Sequence, residues 1–179
     1  SNNTAVGKNA LYSNTTGANN TALGYSALVA NTTGGENVAV GAYALDANTT
    51  PSNMTAVGYG SLSSNTTGTS STAFGSHSLA ANTTGTQNTA LGDQALKQNT
   101  TGNYNTALGR TALYKNISGE RNTAVGREAS YFNTTGANNT ALGYQAGDNI
   151  TTGSSNIIIG ANVDAPSATA SNQLNIGGW

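Results

Sequence analysis

A tetrapeptide of the form TAVG returns every 17 residues along this chain, and the spacing never slips. It begins at Thr4, Thr21, Val38, Thr55, Thr72, Thr89, Thr106, Thr123, Thr140 and Ile157, and a last relative, LNIG, begins at Leu174. With Asn3 as position 1, the unit reads N-T-A-[VL]-G-x-x-A-L-x-x-N-T-T-G-x-x. A fixed period of this length is the mark of a stacked repeat architecture, in which no unit can bury its apolar side alone.

The unit shows no helical periodicity over ten or more residues, and the TAVG segment alternates as a strand does. Position 5 is glycine throughout: Gly7, Gly24, Gly41, Gly58, Gly75, Gly92, Gly109, Gly126, Gly143, Gly160 and Gly177. Such a glycine marks a corner that needs positive φ or a close approach of chains. A second corner follows NTT, where glycine is usual and Pro51 and Ala170 are exceptions. Charged residues fall almost entirely at positions 6, 7, 10, 11, 16 and 17, which are read as solvent-facing corners. The expected fold is therefore all-β, a parallel β-solenoid of ten 17-residue coils. Residues 1–155 form the regular repeats, and 156–179 a divergent C-terminal coil with the start of an exit or capping segment.

Two expectations concern the interior. Position 4 is always apolar and position 2 is Val38, Ile157 or Leu174 where it is not Thr, so both are placed inside, with the Ala of position 3 on the other face. The Leu of position 9 completes the core. Two large apolar side chains per coil fall short of offsetting the ordering of the whole unit. Stacked side chains should contribute, with Asn14, Asn31, Asn48, Asn65, Asn82, Asn99, Asn116 and Asn133 forming an Asn ladder. Burial against other copies should contribute too, through the Ala of position 3 and the Ala-Leu pair at positions 8 and 9. The simplest such assembly is three-fold.

The segments NTALGYSAL and NTAVGREAS resemble the YadA-like head repeats of trimeric autotransporter adhesins, and GSSNIIIGANVDAPSATASNQLNIGGW is similar to the exit from such repeats in bacterial and phage tail-fibre-type surface proteins. The resemblance covers nearly the whole chain, although the family's usual period is shorter. It implies a left-handed β-roll bundled as a homotrimer, located outside the cell on a bacterial surface or a virion tail fibre.

Composition removes other classes. Net charge is −1 and charged residues are 7%, so no basic surface for nucleic acid is expected. No apolar run approaches the roughly 20 residues of a membrane span, and no membrane insertion is expected. Cysteine is absent, which removes thiolate sites. His77 lies at a variable corner between Ser76 and Ser78, and no phosphate-binding or paired-carboxylate motif is spelled. No enzyme activity and no cofactor are expected. Tyr25, Tyr43, Tyr59 and Tyr144 are the candidate recognition surface for a host glycan or protein receptor. Asn-x-Thr triplets at Asn53 and Asn149 are the best glycan acceptors. Adjacent Thr pairs at positions 13 and 14 should point one inward and one outward. The leading functional expectation is a non-catalytic shaft or head. The alternatives are an ice-binding solenoid using Thr columns and a filament assembled by end-to-end stacking.

Overall fold

The computed structural model describes residues 2–177. Its regular elements are eleven three-residue strands, from β1 (Thr4–Val6), β2 (Thr21–Leu23) and β3 (Val38–Val40) to β10 (Ile157–Ile159) and β11 (Leu174–Ile176). All pair in parallel, in sequence order, as one eleven-stranded sheet. Thr4 pairs with Thr21, Ala5 with Ala22 and Val6 with Leu23, so each strand meets its own equivalent 17 residues on. The architecture is a parallel β-solenoid of about ten coils, without helix among the described residues. With strands about 4.8 Å apart, ten coils make a rod of roughly 48 Å.

The ladder continues beyond the strands. The Leu28 N–H donates to the Ala44 carbonyl at 3.0 Å, and the Thr32 N–H to the Thr49 carbonyl at 2.8 Å. Backbone groups are thus paired around most of each coil, as burial requires.

Four left-handed residues per regular coil bend the chain. Position 5 glycines have φ of 128–140° from Gly7 to Gly160, and a Cβ on Gly92 would lie 2.5 Å from the Gly109 carbonyl oxygen. Positions 7, 9 and 17 also lie at positive φ, between 50° and 62°, although most are not glycine. The leucines of position 9 are the extreme case. A left-handed residue with a Cβ costs roughly 1–2 kcal/mol. Leu28, Leu45, Leu62, Leu79, Leu96 and Leu113 are completely buried, and burial of one such side chain contributes about 1.5–3 kcal/mol. Burial therefore offsets the strained backbone. The position 15 glycine has a different cause: its φ is not positive, but a Cβ on Gly34 would meet the Pro51 carbonyl and come within 2.6 Å of Asn31 Oδ1.

The interior reverses one expectation from the sequence. Ala22, Ala39, Ala56, Ala73, Ala90, Ala107, Ala124 and Ala141 of position 3 are buried, as is Ile158. Positions 2 and 4 face out. The coil is narrow, and the Leu of position 9 already fills the space opposite the sheet, so only a small residue fits on the inner side of the strand. The Ala-Leu pair at positions 8 and 9 is likewise fully enclosed and offers no face to a neighbour.

Candidate functional site

Turning positions 2 and 4 outward leaves a file of apolar side chains along the sheet. Val6, Leu23, Phe74, Leu91, Leu108 and Ile176 are all exposed at position 4, Phe74 by 52% and Leu91 by 42%. Val38, Ile157 and Leu174 add exposed apolar side chains at position 2. Position 2 is otherwise Thr, and Val40, Val57, Val125, Leu142 and Ile159 at position 4 are half-buried, so the face is an apolar file flanked mostly by threonine and a candidate interaction surface.

Two amide columns hold the coils in register beneath it. In the expected column, Asn99 Nδ2 donates to Asn82 Oδ1 at 2.8 Å and to the Gly102 carbonyl at 3.0 Å. Asn31 through Asn133 repeat this step. The two longest steps, 3.1 Å at Asn48 and 3.2 Å at Asn65, adjoin the coil carrying Pro51. The column stops where Ile150 takes the Asn place, and Asn133 Oδ1 is left buried without a partner. A second column, at position 1, was not expected as a ladder. The Asn122 N–H donates to Asn105 Oδ1 at 3.0 Å while Asn122 Nδ2 donates to the Gly136 carbonyl at 2.8 Å. The position 15 carbonyl thus accepts from both columns, which fastens the NTTG corner to its coil. The recurrence of Asn at position 1 was the available signal.

No charged residue is fully buried among the described residues, although Asp46 Oδ1 is enclosed without a partner and burial raises its carboxyl above the usual range. The aromatic corners do more than the sequence suggested. Tyr25, Tyr43 and Tyr59 come from positions 6, 7 and 6 of consecutive coils and meet edge to face, with centroids 5.3 and 5.9 Å apart. His77 continues the row 5.1 Å beyond Tyr59, and its Nδ1 contacts the neighbouring Ser76 hydroxyl at 3.0 Å. Tyr144 is not part of this row and carries the Arg127 guanidinium 5.5 Å above its ring.

A second aromatic group lies at positions 10 and 11. Tyr114 and Tyr131 stack in parallel at 5.1 Å, and Phe132 meets Tyr131 edge to face at 4.9 Å. Lys115 Nζ sits 4.5 Å from the Phe132 centroid. Beside these rings is a cleft of about 270 Å³ lined by Glu128, Tyr131, Phe132, Gln145 and Asp148. Burial, first, and then a hydrogen bond and charge repulsion from Asp164 raise the Asp148 carboxyl to about 6. Glu128 is moved the other way, below the usual carboxylate range, by hydrogen bonds from Arg127 and Gln145. Three acidic side chains from successive coils thus converge on a corner where the sequence spelled no paired carboxylates.

The Thr pairs depart from expectation. Position 14 is exposed in all eight pairs, from Thr16 to Thr152, and no Thr of position 13 is buried. Both lie outside because the inward places are taken by the Asn before them and the Gly after them. The position 13 hydroxyls are engaged, as in Thr66 Oγ1 to the Thr83 carbonyl at 3.1 Å. Asn53 is exposed, whereas Asn149 is tied to Ala165 through both amide atoms, at 2.9 and 3.0 Å.

No group of three or more metal-ligating side chains is positioned for an ion among the described residues. No helix among them is long and apolar enough to cross a membrane. No family model matches the chain, and neither does any curated protein or solved structure.

Proposed function

We propose that this chain is a non-catalytic structural and adhesive segment, a shaft or head, of an extracellular fibre on a bacterial surface or a phage tail. In this reading three copies bundle as left-handed β-rolls with their sheet faces together. The observation that carries it is the outward-facing apolar file at position 4, which runs the length of the sheet and is joined at position 2 by Val38, Ile157 and Leu174. The resemblance to YadA-like head repeats supplies the three-fold arrangement and the extracellular setting. Such a face, left open to water, is an aggregation liability that bundling removes.

The test is absolute mass by light scattering on a sizing column. The expected mass is three times the 17.8 kDa chain. Leu91→Asp with Leu108→Asp should lower it to one chain while the β-sheet circular dichroism persists. A parent chain that runs as a monomer would sink the trimeric reading.

A second reading, ice binding, draws on the exposed position 14 threonines. It is the weaker one, since the neighbouring position 13 hydroxyls already donate to backbone carbonyls. Thermal hysteresis at millimolar protein would favour it.

A further inference from the structure

The cleft on the eighth and ninth coils departs from what a shaft needs. A chain that only built length could keep the consensus throughout, yet here the core Leu of position 9 becomes Ser130 and then Gly147, and the ladder Asn becomes Ile150. The same stretch gathers the stacked rings and the converging carboxylates.

Its chemistry combines ring walls with fixed acceptors. Tyr131 and Phe132 stand at 72° to each other and supply two apolar surfaces. Glu128 is held by Arg127 Nε and Nη2 on Oε1, at 3.0 and 2.8 Å, and by Gln145 Nε2 on Oε2 at 2.7 Å. A carboxylate has about four lone-pair sites, so Glu128 keeps acceptor capacity while its orientation is set. Gln145 Nε2 is spent on Glu128, which leaves its carbonyl oxygen as a further acceptor. Asp148, from the same coil as Gln145, adds a carboxyl.

Glu128 and the Phe132 face are already engaged by cations, while Asp148 has no ion-pair partner among the described residues. Arg127 neutralises Glu128, and Lys115 occupies the cation seat over Phe132. The site therefore suits a neutral ligand that brings hydroxyl donors on one side and an apolar C–H face on the other. That is a pyranose ring. A volume of about 270 Å³ lies just below the roughly 300 Å³ at which drug-sized pockets begin, which fits one sugar residue rather than an oligosaccharide.

We propose that the cleft lined by Glu128, Tyr131, Phe132, Gln145 and Asp148 binds a single neutral sugar residue at the end of a surface glycan. The inference rests on the adhesive reading above and gives it a ligand class and a site. None of the five residues belongs to a strand, so covering the sheet face does not require them. Binding by one chain is weak at so open a site, and several copies on a fibre would raise it by avidity.

Saturation-transfer NMR on the intact chain tests this, with the methyl glycosides of glucose, galactose, mannose and N-acetylglucosamine at millimolar concentration. At least one should receive saturation. Tyr131→Ala should weaken it about tenfold, equivalent to about 1.4 kcal/mol, and Asp148→Asn should weaken it as well. Tyr12→Ala, an exposed ring on the first coil, should leave it unchanged. Circular dichroism of each variant reports whether it remains folded. Transfer to none of the four glycosides, transfer that survives Tyr131→Ala with Asp148→Asn, or transfer only to a lysine-rich peptide would overturn the assignment. Light scattering on the same samples separates this failure from failure of the trimeric reading.

Discussion

Asn99 carries three ladder hydrogen bonds on one amide: its Nδ2 donates to Asn82 Oδ1 and the Gly102 carbonyl, and its Oδ1 accepts from Asn116. Removing it orphans buried groups on both sides. Asn99→Ala should therefore cost about 1–3 kcal/mol per group left unsatisfied, read as a lowered thermal midpoint. Leu79→Ala should cost about 2–5 kcal/mol by opening the core. The sequence made the Asn99 column and the Leu79 position legible because each recurs at one fixed place. It did not reveal that Leu79 sits at a φ of 51°. Leucine is disfavoured there, and only the completed coil, which encloses its side chain, makes the conformation worthwhile. The inside-out reading of positions 2 and 4 has a related cause. Alternation shows that two faces differ, not which one is inside, and an apolar residue held for an interface has the same signature as one held for the core.

At the scale of the coil, the corners matter more than the strands. Position 6 and position 7 share one corner, so Tyr25, Tyr43, Tyr59 and His77 form a row although no single position is aromatic in all four coils. A column-by-column reading misses such a row, and it misses the Glu128, Asp148 and Asp164 convergence for the same reason. That convergence sets a pH dependence. The folded Asp148 holds its proton up to about pH 6, against an ordinary value near 3.9. Folding thus favours the protonated form, and stability should rise as pH falls from about 7 to about 4.5. Glu128 acts oppositely, since its lowered value contributes stability that is lost only as pH drops below the usual carboxylate range. Thermal melts between pH 4.5 and 7.5 should show the rise, and Asp148→Asn should reduce it to the part left by Asp46, whose carboxyl burial also raises. A midpoint that falls steadily toward pH 4.5 would contradict the assignment.

For the whole molecule, the regular coils up to Asn133 meet one another through nearly the same set of contacts, so length and stability are separable there. Deleting residues 88–104, one complete unit of 17, should give a folded rod one coil shorter with a thermal midpoint within a few degrees of the parent. Deleting one residue fewer shifts every later side chain to the wrong face and should abolish the cooperative melt. This property was fully legible in the sequence, because it rests on spacing alone. A need for further burial was legible in the sequence, while the outward turn of the position 4 side chains emerged only from the folded coil.

The hydrogen bonds between coils run along the rod, from one strand to its equivalent 17 residues later. A pull on the two ends therefore loads them one row at a time, in the peeling direction, rather than all together in shear. A stretched rod would pay out chain in equal instalments, each a coil whose 17 residues extend to roughly 55–60 Å at ~3.3–3.6 Å per residue. Because successive rows are nearly alike, the tension should hold near one plateau while length is released. Under tension such a rod would behave as a shock absorber, giving way a coil at a time instead of snapping.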